Sequence, residues 1–267
     1  MDPENLPEMT FRCQGLDRSY FLYVPENLPV GAPLVFFLHG YGNKHPKAVS
    51  LCELAETEKF AVCIPWASVD PNGKHGWNVG YNMQKGYKVD DVLFLKRLAR
   101  HLQKEHDLSR DNVFVTGSSN GGEMCYLIAY REPDFFRAVA PKSGLTMKWM
   151  YDTLVPKKPV PLLEIHGTED RTSEWNGDLI DDYWGPYIAV PLAVANWAVA
   201  ARCDHEVTER FKATDEGCDV IAHRYVSDSN GGVEVSLYEV IGAGHSIDSK
   251  DFDYAGVVWD FFKRYIK

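Results

Sequence analysis

The 267-residue chain has no apolar run approaching the roughly 20 residues that a membrane span requires. It has no positive excess either. Its 28 Lys and Arg stand against 38 Asp and Glu, a net charge of −10, which argues against nucleic acid or an anionic membrane surface as partner. None of the six cysteines forms a C-x-x-C pair, and no His/Cys cluster has zinc spacing. The stretch Met1-Asp-Pro-Glu-Asn-Leu-Pro-Glu8 lacks the basic and apolar regions of a secretory signal. That leaves a cytoplasmic protein or a mature form whose signal has been removed. No internal repeat, linker or low-complexity segment divides the chain, so residues 1–267 are expected to form one domain.

What is present is ordinary globular composition, 45% hydrophobic and 25% charged. Pro33-Leu-Val-Phe-Phe-Leu-His-Gly40 is a continuous apolar run, as expected of a central strand covered on both faces. Further strands are expected over 19–24, 60–65, 112–116, 137–140, 161–167 and 234–240. Helices are expected over 46–59, 89–106, 192–201 and 253–266, the second carrying Val92, Leu95, Leu98, Ala99 and Leu102 on one face. Alternating strands and helices imply an α/β fold, a mostly parallel central sheet with helices on both faces. Ligands of such sheets sit at the carboxyl ends of the strands. Two segments stand apart as loops rich in aromatics, 70–88 and 171–191, the second as a lid or substrate-binding insert. Cys52, Cys63 and Cys125 fall in apolar patterns and read as core. Cys203 and Cys218 lie in a polar segment, and the sequence leaves their pairing open.

Val113-Phe-Val-Thr-Gly-Ser-Ser-Asn-Gly-Gly-Glu-Met124 reads as a strand, a glycine turn and a helix start. Gly117-Ser-Ser-Asn-Gly121 fits the G-x-S-x-G nucleophile elbow, which exposes a serine hydroxyl beside helix-start amides. Ser119, Asp170 and His245 follow the ends of three expected strands, in the chain order of an α/β-hydrolase triad. A serine hydroxyl needs an adjacent base, an imidazole exchanges protons near neutrality, and a carboxylate fixes the imidazole tautomer. Glu169, Asp178, Asp181 and Asp182 are the competing carboxylates. Asp170 is preferred because its strand ends just before it. His39 reads as a buried structural histidine. The backbone amides of Tyr41 and Asn120 are candidates for an oxyanion hole. Trp77, Tyr81, Trp175, Tyr183, Trp184 and Tyr187 suit a pocket for an aromatic acyl group or sugars, or serve to anchor their loops.

The runs Asp90-Asp91-Val-x-Phe-Leu, Val-Phe-Val-Thr-Gly-Ser-Ser-Asn-Gly-Gly-Glu-Met, Phe-Arg-Ala-Val-Ala-Pro-Lys-Ser-Gly, Leu-Glu-Ile-His-Gly-Thr-Glu-Asp and Gly-Ala-Gly-His245 together resemble family 1 carbohydrate esterases and polyhydroxybutyrate depolymerase-like esterases. The segment Trp197 to Cys203 and the terminal Val-Trp-Asp-Phe-Phe-Lys-Arg-Tyr extend the likeness, which runs from about Pro33 onward. The resemblance implies an α/β-hydrolase that cleaves feruloyl or acetyl esters on plant arabinoxylan, with no metal or cofactor, and typically secreted. It implies Ser119, Asp170 and His245 as the triad and the Tyr41 and Asn120 amides as oxyanion donors. It places Trp77 near the active site, and the aromatics Trp77, Trp175 and Trp184 as substrate-binding residues follow from the loops they occupy. Tyr41 stands where depolymerase-like members usually carry a small residue or Cys, and the insert after Asp170 is unusual. A feruloyl esterase is the expected activity. An acetyl xylan esterase, an acyltransferase on the same triad and a non-catalytic glycan-binding relative are the alternatives.

Overall fold

The computed structural model describes residues 2–212, 214–247 and 252–267. The chain opens with a hairpin, β1 (Met9–Cys13) and β2 (Leu16–Tyr23). Its turn residues, Gln14 and Gly15, have φ of 54° and 77°, the positive pair that a two-residue hairpin turn of matching twist requires. Next come β3 (Leu34–Leu38), α1 (Val49–Glu58), β4 (Ala61–Pro65), a 3₁₀ turn at Asn82–Gln84, α2 (Asp91–Glu105), β5 (Val113–Ser118) and α3 (Asn120–Arg131). They are followed by β6 (Ala138–Lys142), α4 (Lys148–Thr153), β7 (Leu162–Gly167), α5 (Val190–Ala200), β8 (His205–Lys212), β9 (Asp219–Val226), β10 (Val235–Val240) and α6 (Tyr254–Phe262).

The strands form one ten-stranded sheet in the order β1-β2-β4-β3-β5-β6-β7-β10-β9-β8. β4, β3, β5, β6, β7 and β10 run parallel, and antiparallel strands flank them on both sides. Alternation along each strand sends side chains to two cores. Leu34, Phe36 and Leu38 join Leu95, Leu98, Met124, Ile128 and Trp197 beneath α2, α3 and α5. Val35 joins Leu51, Ala55, Val258 and Phe262 beneath α1 and α6. α2 starts where Asp90 accepts from the Leu93 amide at 3.0 Å, an ordinary N-cap. Asp91 beside it is enclosed and ion-paired to Arg18 of β2 at 2.7 Å. The pair is further held by the Asn78 amide on Asp91 and by the Phe94 ring under the guanidinium. Among the described residues no helix is long and apolar enough to cross a membrane.

The parallel strands and the helices between them fall where the apolar pattern puts them. Several elements do not. β1, β8, β9 and α4 were not expected, and β8 shows why. Seven of the eight residues in His205-Glu-Val-Thr-Glu-Arg-Phe-Lys212 are exposed, so no buried face marks the strand. The helix expected over 253–266 ends at Phe262 and tightens into a 3₁₀ turn at Lys263–Tyr265. The loop expected through Pro191 ends earlier, because Pro191 occupies the first turn of α5, where its missing N–H costs nothing. Cys203 and Cys218 do not pair. They lie at opposite ends of the β8–β9 hairpin, in which His205 faces Val226 and Lys212 faces Asp219. Eight residues of strand separate them by roughly 25 Å, against the limit of about 7 Å between Cα atoms of a disulfide.

Candidate active site

β5 ends at Ser118 and the chain turns at once into α3. Ser119, at the junction, has φ 56° and ψ −124°. A residue with a side chain adopts this conformation only where its surroundings force it. The surroundings are backbone. A Cβ on Gly121 would lie 2.1 Å from the Leu38 carbonyl oxygen, and one on Gly117 would lie 2.6 Å from the Gly121 carbonyl oxygen. Only glycine lets β3, β5 and α3 approach so closely. The Ser119 amide donates to the Lys142 carbonyl at 2.8 Å. Its half-buried hydroxyl has no hydrogen-bond partner among the described residues.

Asp170 and His245 meet beside this turn. β7 and β10 are paired to their last residues, Gly167 opposite Val240. The loops that follow carry Asp170 and His245. Asp170 Oδ2 accepts from His245 Nδ1 at 2.8 Å. Asp170 Oδ1 accepts from the amides of Thr172 and Ser173, each at 2.8 Å. The Asp170 side chain is fully enclosed, while that of His245 is 26% exposed. Burial alone would raise the Asp170 carboxyl, but the His245 hydrogen bond and the two amides outweigh it and hold the group below the usual carboxylate range. With Nδ1–H committed to the carboxylate, His245 Nε2 is left as the proton acceptor. Ser143 bonds the two halves: its Oγ donates to the His245 carbonyl at 3.1 Å, and it follows Lys142, the partner of the Ser119 amide. Glu169, Asp178, Asp181 and Asp182 do not reach His245; Asp178 and Asp181 instead bind amides of the insert.

Tyr41 follows β3 and Asn120 opens α3. Among the described residues neither amide donates to another protein group. For Asn120 this follows from its place in the first helical turn. A Cβ on Gly40 would lie 3.4 Å from that of Ser119, so the Tyr41 loop runs alongside the nucleophile turn. His39 is buried, as expected. Its Nδ1 donates to the Gly40 carbonyl at 2.7 Å and its Nε2 accepts from the Ala67 amide at 3.1 Å. Burial lowers its pKa to about 4, so the ring is neutral.

Trp77 requires a correction. Its side chain is completely buried, so no ligand reaches it. Its indole N–H donates to the His39 carbonyl at 3.0 Å. Its backbone is bracketed by the Asn120 side chain, which accepts from the Trp77 amide at 2.7 Å and donates to its carbonyl at 3.2 Å. Trp77 therefore ties the Tyr41 and Asn120 loops together. Trp184 is half-buried and meets Tyr41, Tyr81 and Tyr183 at ring-centroid distances of 5.2, 4.9 and 4.7 Å. Trp175, also half-buried, lines a cleft of about 440 Å³ with Asp170, Arg171 and Glu174. The insert that holds them is ordered by backbone pairing of Asp178 with Tyr187 and by three amides converging on Asp181 Oδ1.

Three buried ionisable residues near the site were not anticipated. Glu123 lies one turn into α3 and accepts from Tyr81 Oη and, at 3.5 Å, from Asn120 Nδ2. Burial raises its carboxyl to about 7 despite those donors. Glu164 and His166 are both enclosed inside β7. The available signal was the strand itself: Leu-Glu-Ile-His-Gly puts polar residues at alternate positions of a segment that otherwise reads as core. Among the described residues no group of three or more His, Cys, Asp or Glu is arranged to hold a metal ion.

The backbone overlays on an acetyl xylan esterase from Aspergillus awamori with a TM-score of 0.67 and 15% identity, over 97% of this chain and 99% of that one. The chain has the α/β-hydrolase fold. Residues 67–178 match the prolyl oligopeptidase family. It is 24% identical to a bifunctional acetylxylan esterase/xylanase of Neocallimastix patriciarum, over 95% of this chain and 34% of the relative. It is 27% identical to poly(3-hydroxyalkanoate) depolymerase C of Paucimonas lemoignei, over 84% of this chain and 57% of the relative. To feruloyl esterase B of Piromyces equi it is 27% identical, over 88% and 42% respectively. These matches bear out the resemblance carried by the motifs. The chain spans between about a third and three-fifths of the length of these relatives.

Proposed function

We propose that this α/β-hydrolase is a serine carboxylester hydrolase that releases ferulate and related hydroxycinnamates from plant arabinoxylan. The observation that supports it most is the pairing of a strained, half-buried Ser119 at the strand–helix turn with an Asp170–His245 hydrogen bond of 2.8 Å on the adjoining strand ends. Ser119 Oγ attacks the ester carbonyl carbon while His245 Nε2 takes the hydroxyl proton. Asp170 holds the imidazole and stabilises the imidazolium. The Tyr41 and Asn120 amides receive the oxyanion, and each such donor is worth roughly 3 kcal/mol. His245 then protonates the departing sugar alcohol, water enters, and the same base delivers it to the acyl-enzyme. The step requires His245 Nε2 within hydrogen-bond reach of Ser119 Oγ in the Michaelis complex.

Trp175, Tyr183 and Trp184, with Tyr41 behind them, offer flat surfaces of the kind that suits a hydroxycinnamate ring or a sugar. In this proposal the insert over 171–191 is the substrate-binding part of a single catalytic unit that acts outside the cell, on its polymer. Acetyl esters of xylan are the second reading, favoured because the alignment with the acetylxylan esterase/xylanase spans 95% of this chain. Hydrolysis rates on methyl ferulate and on acetylated xylan separate the two. Ferulate is expected to be the better substrate by at least about tenfold, or 1.4 kcal/mol in the transition state. A preference for acetate would refute the feruloyl assignment. Ester hydrolysis that survives Ser119→Ala would refute the nucleophile.

A further inference from the structure

Behind the Asp170–His245 pair lies a second acid–base pair that the proposed reaction does not use. His166 Nδ1 is 2.8 Å from Glu164 Oε1, and both side chains are completely enclosed. His166 Nε2 lies 2.8 Å from the Ser173 carbonyl oxygen and 3.5 Å from Asp170 Oδ2. Both of those neighbours accept only, so Nε2 carries a proton. The proton between Nδ1 and Glu164 then decides the charge of the ring. Two further donors converge on Glu164: the Gly144 amide on Oε1 at 3.2 Å and the Tyr126 hydroxyl on Oε2 at 3.0 Å. Two donors besides the ring, on a carboxyl that also faces an imidazole, favour its ionised form, which puts the proton on Nδ1 and makes His166 an imidazolium.

We propose that His166 is a positioning residue, a buried cation held between Glu164 and Asp170 that fixes the Asp170 loop and offsets the charge of the Asp170 carboxylate. The inference rests on the triad assigned above. The loop is fixed through Ser173, whose carbonyl accepts from His166 and whose amide donates to Asp170. The charge is offset because His245 and His166 both face Asp170 Oδ2, at 2.8 and 3.5 Å. Burial opposes the His166 cation, and the Glu164 hydrogen bond and charge more than restore it. Burial holds the Glu164 carboxyl above its usual range, and His166, Tyr126 and the Gly144 amide offset only part of that rise. The other titratable groups facing the pair are Glu123 and Cys125 of α3, Tyr254 of α6, and His245 beyond Asp170. Among the described residues Glu123, Cys125 and Tyr254 cannot supply a cation in place of His166.

The test measures kcat/KM for p-nitrophenyl acetate from pH 5 to 9 in the parent, His166→Gln, Glu164→Gln and the double variant. The His166→Gln amide keeps a donor for the Ser173 carbonyl and removes the charge. Without the cation Asp170 draws the His245 proton more strongly. The acid limb of the profile should therefore move to higher pH by about half a unit or more, as expected for removing a unit charge beside a coupled acid–base pair. Glu164→Gln leaves His166 buried without its counter-charge and should move the limb in the same direction. The double variant should move it no further than His166→Gln does. A limb that stays in place in folded His166→Gln, even with a lowered rate, would overturn the proposal. If the variants do not fold, ring-¹⁵N-labelled parent protein at pH 6 decides it: protons on both His166 nitrogens support the cation, and a neutral ring overturns it. Failure of the triad itself reads differently, as parent activity that Ser119→Ala leaves intact.

Discussion

Glu123 gives the sharpest quantitative handle on this molecule. It is an enclosed carboxyl with no cation partner among the described residues, and burial lifts it to about 7 from an ordinary 4.5. The fold thus prefers the protonated acid. The stability that preference supplies is fully present below about pH 4.5. It is lost as pH rises through 7, and above that the folded chain carries a buried charge. The separation of about 2.5 pH units, at roughly 1.36 kcal/mol each, is worth about 3 kcal/mol. Glu123→Gln removes the titration and keeps an oxygen to accept from Tyr81 Oη. Denaturant unfolding of parent and variant at pH 5 and pH 8 measures the difference. The variant should gain about 2–3 kcal/mol on the parent between the two values. A stability difference that stays constant within about 0.5 kcal/mol between those pH values would show that Glu123 is not a buried titrating group, and the argument would fail.

Two further outcomes follow from contacts in the site. Gly121→Ala sets a methyl group against the Leu38 carbonyl, 2.1 Å away, with backbone on both sides and nowhere to yield. It should cost about 3 kcal/mol or more in unfolding free energy, and a variant as stable as the parent would show that the elbow tolerates a side chain. Asp170→Asn should lower kcat roughly ten-thousand-fold. The Thr172 and Ser173 amides, both on Oδ1, will retain the amide oxygen and turn the NH₂ toward His245. Nδ1 must then accept, Nε2 carries the proton, and the base is blocked. A loss of less than tenfold in stopped-flow ester hydrolysis would rule out that tautomer argument.

The parts legible in the sequence share a physical cause. β3, β5 and β7 are covered on both faces, so their apolar runs announce them, and the residues after their ends fall where a parallel sheet gathers them. Ser119 and Asp170 are of this kind, and His245 follows β10 in the same way. Residues whose role depends on a distant partner were not legible. Glu123 reads as a solvated first-turn acid until Tyr81, forty-two positions earlier, is folded onto it. Trp77 was expected to meet substrate because its loop is rich in Gly, Asn and aromatics and the resemblance places it near the active site. The loop's outer stretch, 71–74, is exposed, but Trp77 turns inward to the His39 carbonyl and is buried along with Val79, Tyr81 and Gln84. β8 and β9 form an outlying hairpin whose first strand buries almost nothing, so the period-two pattern never develops.

Trp77 has a consequence for how the site responds to change. The Tyr41 and Asn120 amides belong to different strand ends, yet both are referenced to one residue in the loop between β4 and α2. The indole fixes the carbonyl two residues before Tyr41, and the main chain fixes the Asn120 side chain. The two donors are thus a single mechanical part with a shared mount. A disturbance in that mount, even one that touches neither amide, reaches both, so their spacing depends on the loop as well as on the direct pairing of β3 with β5.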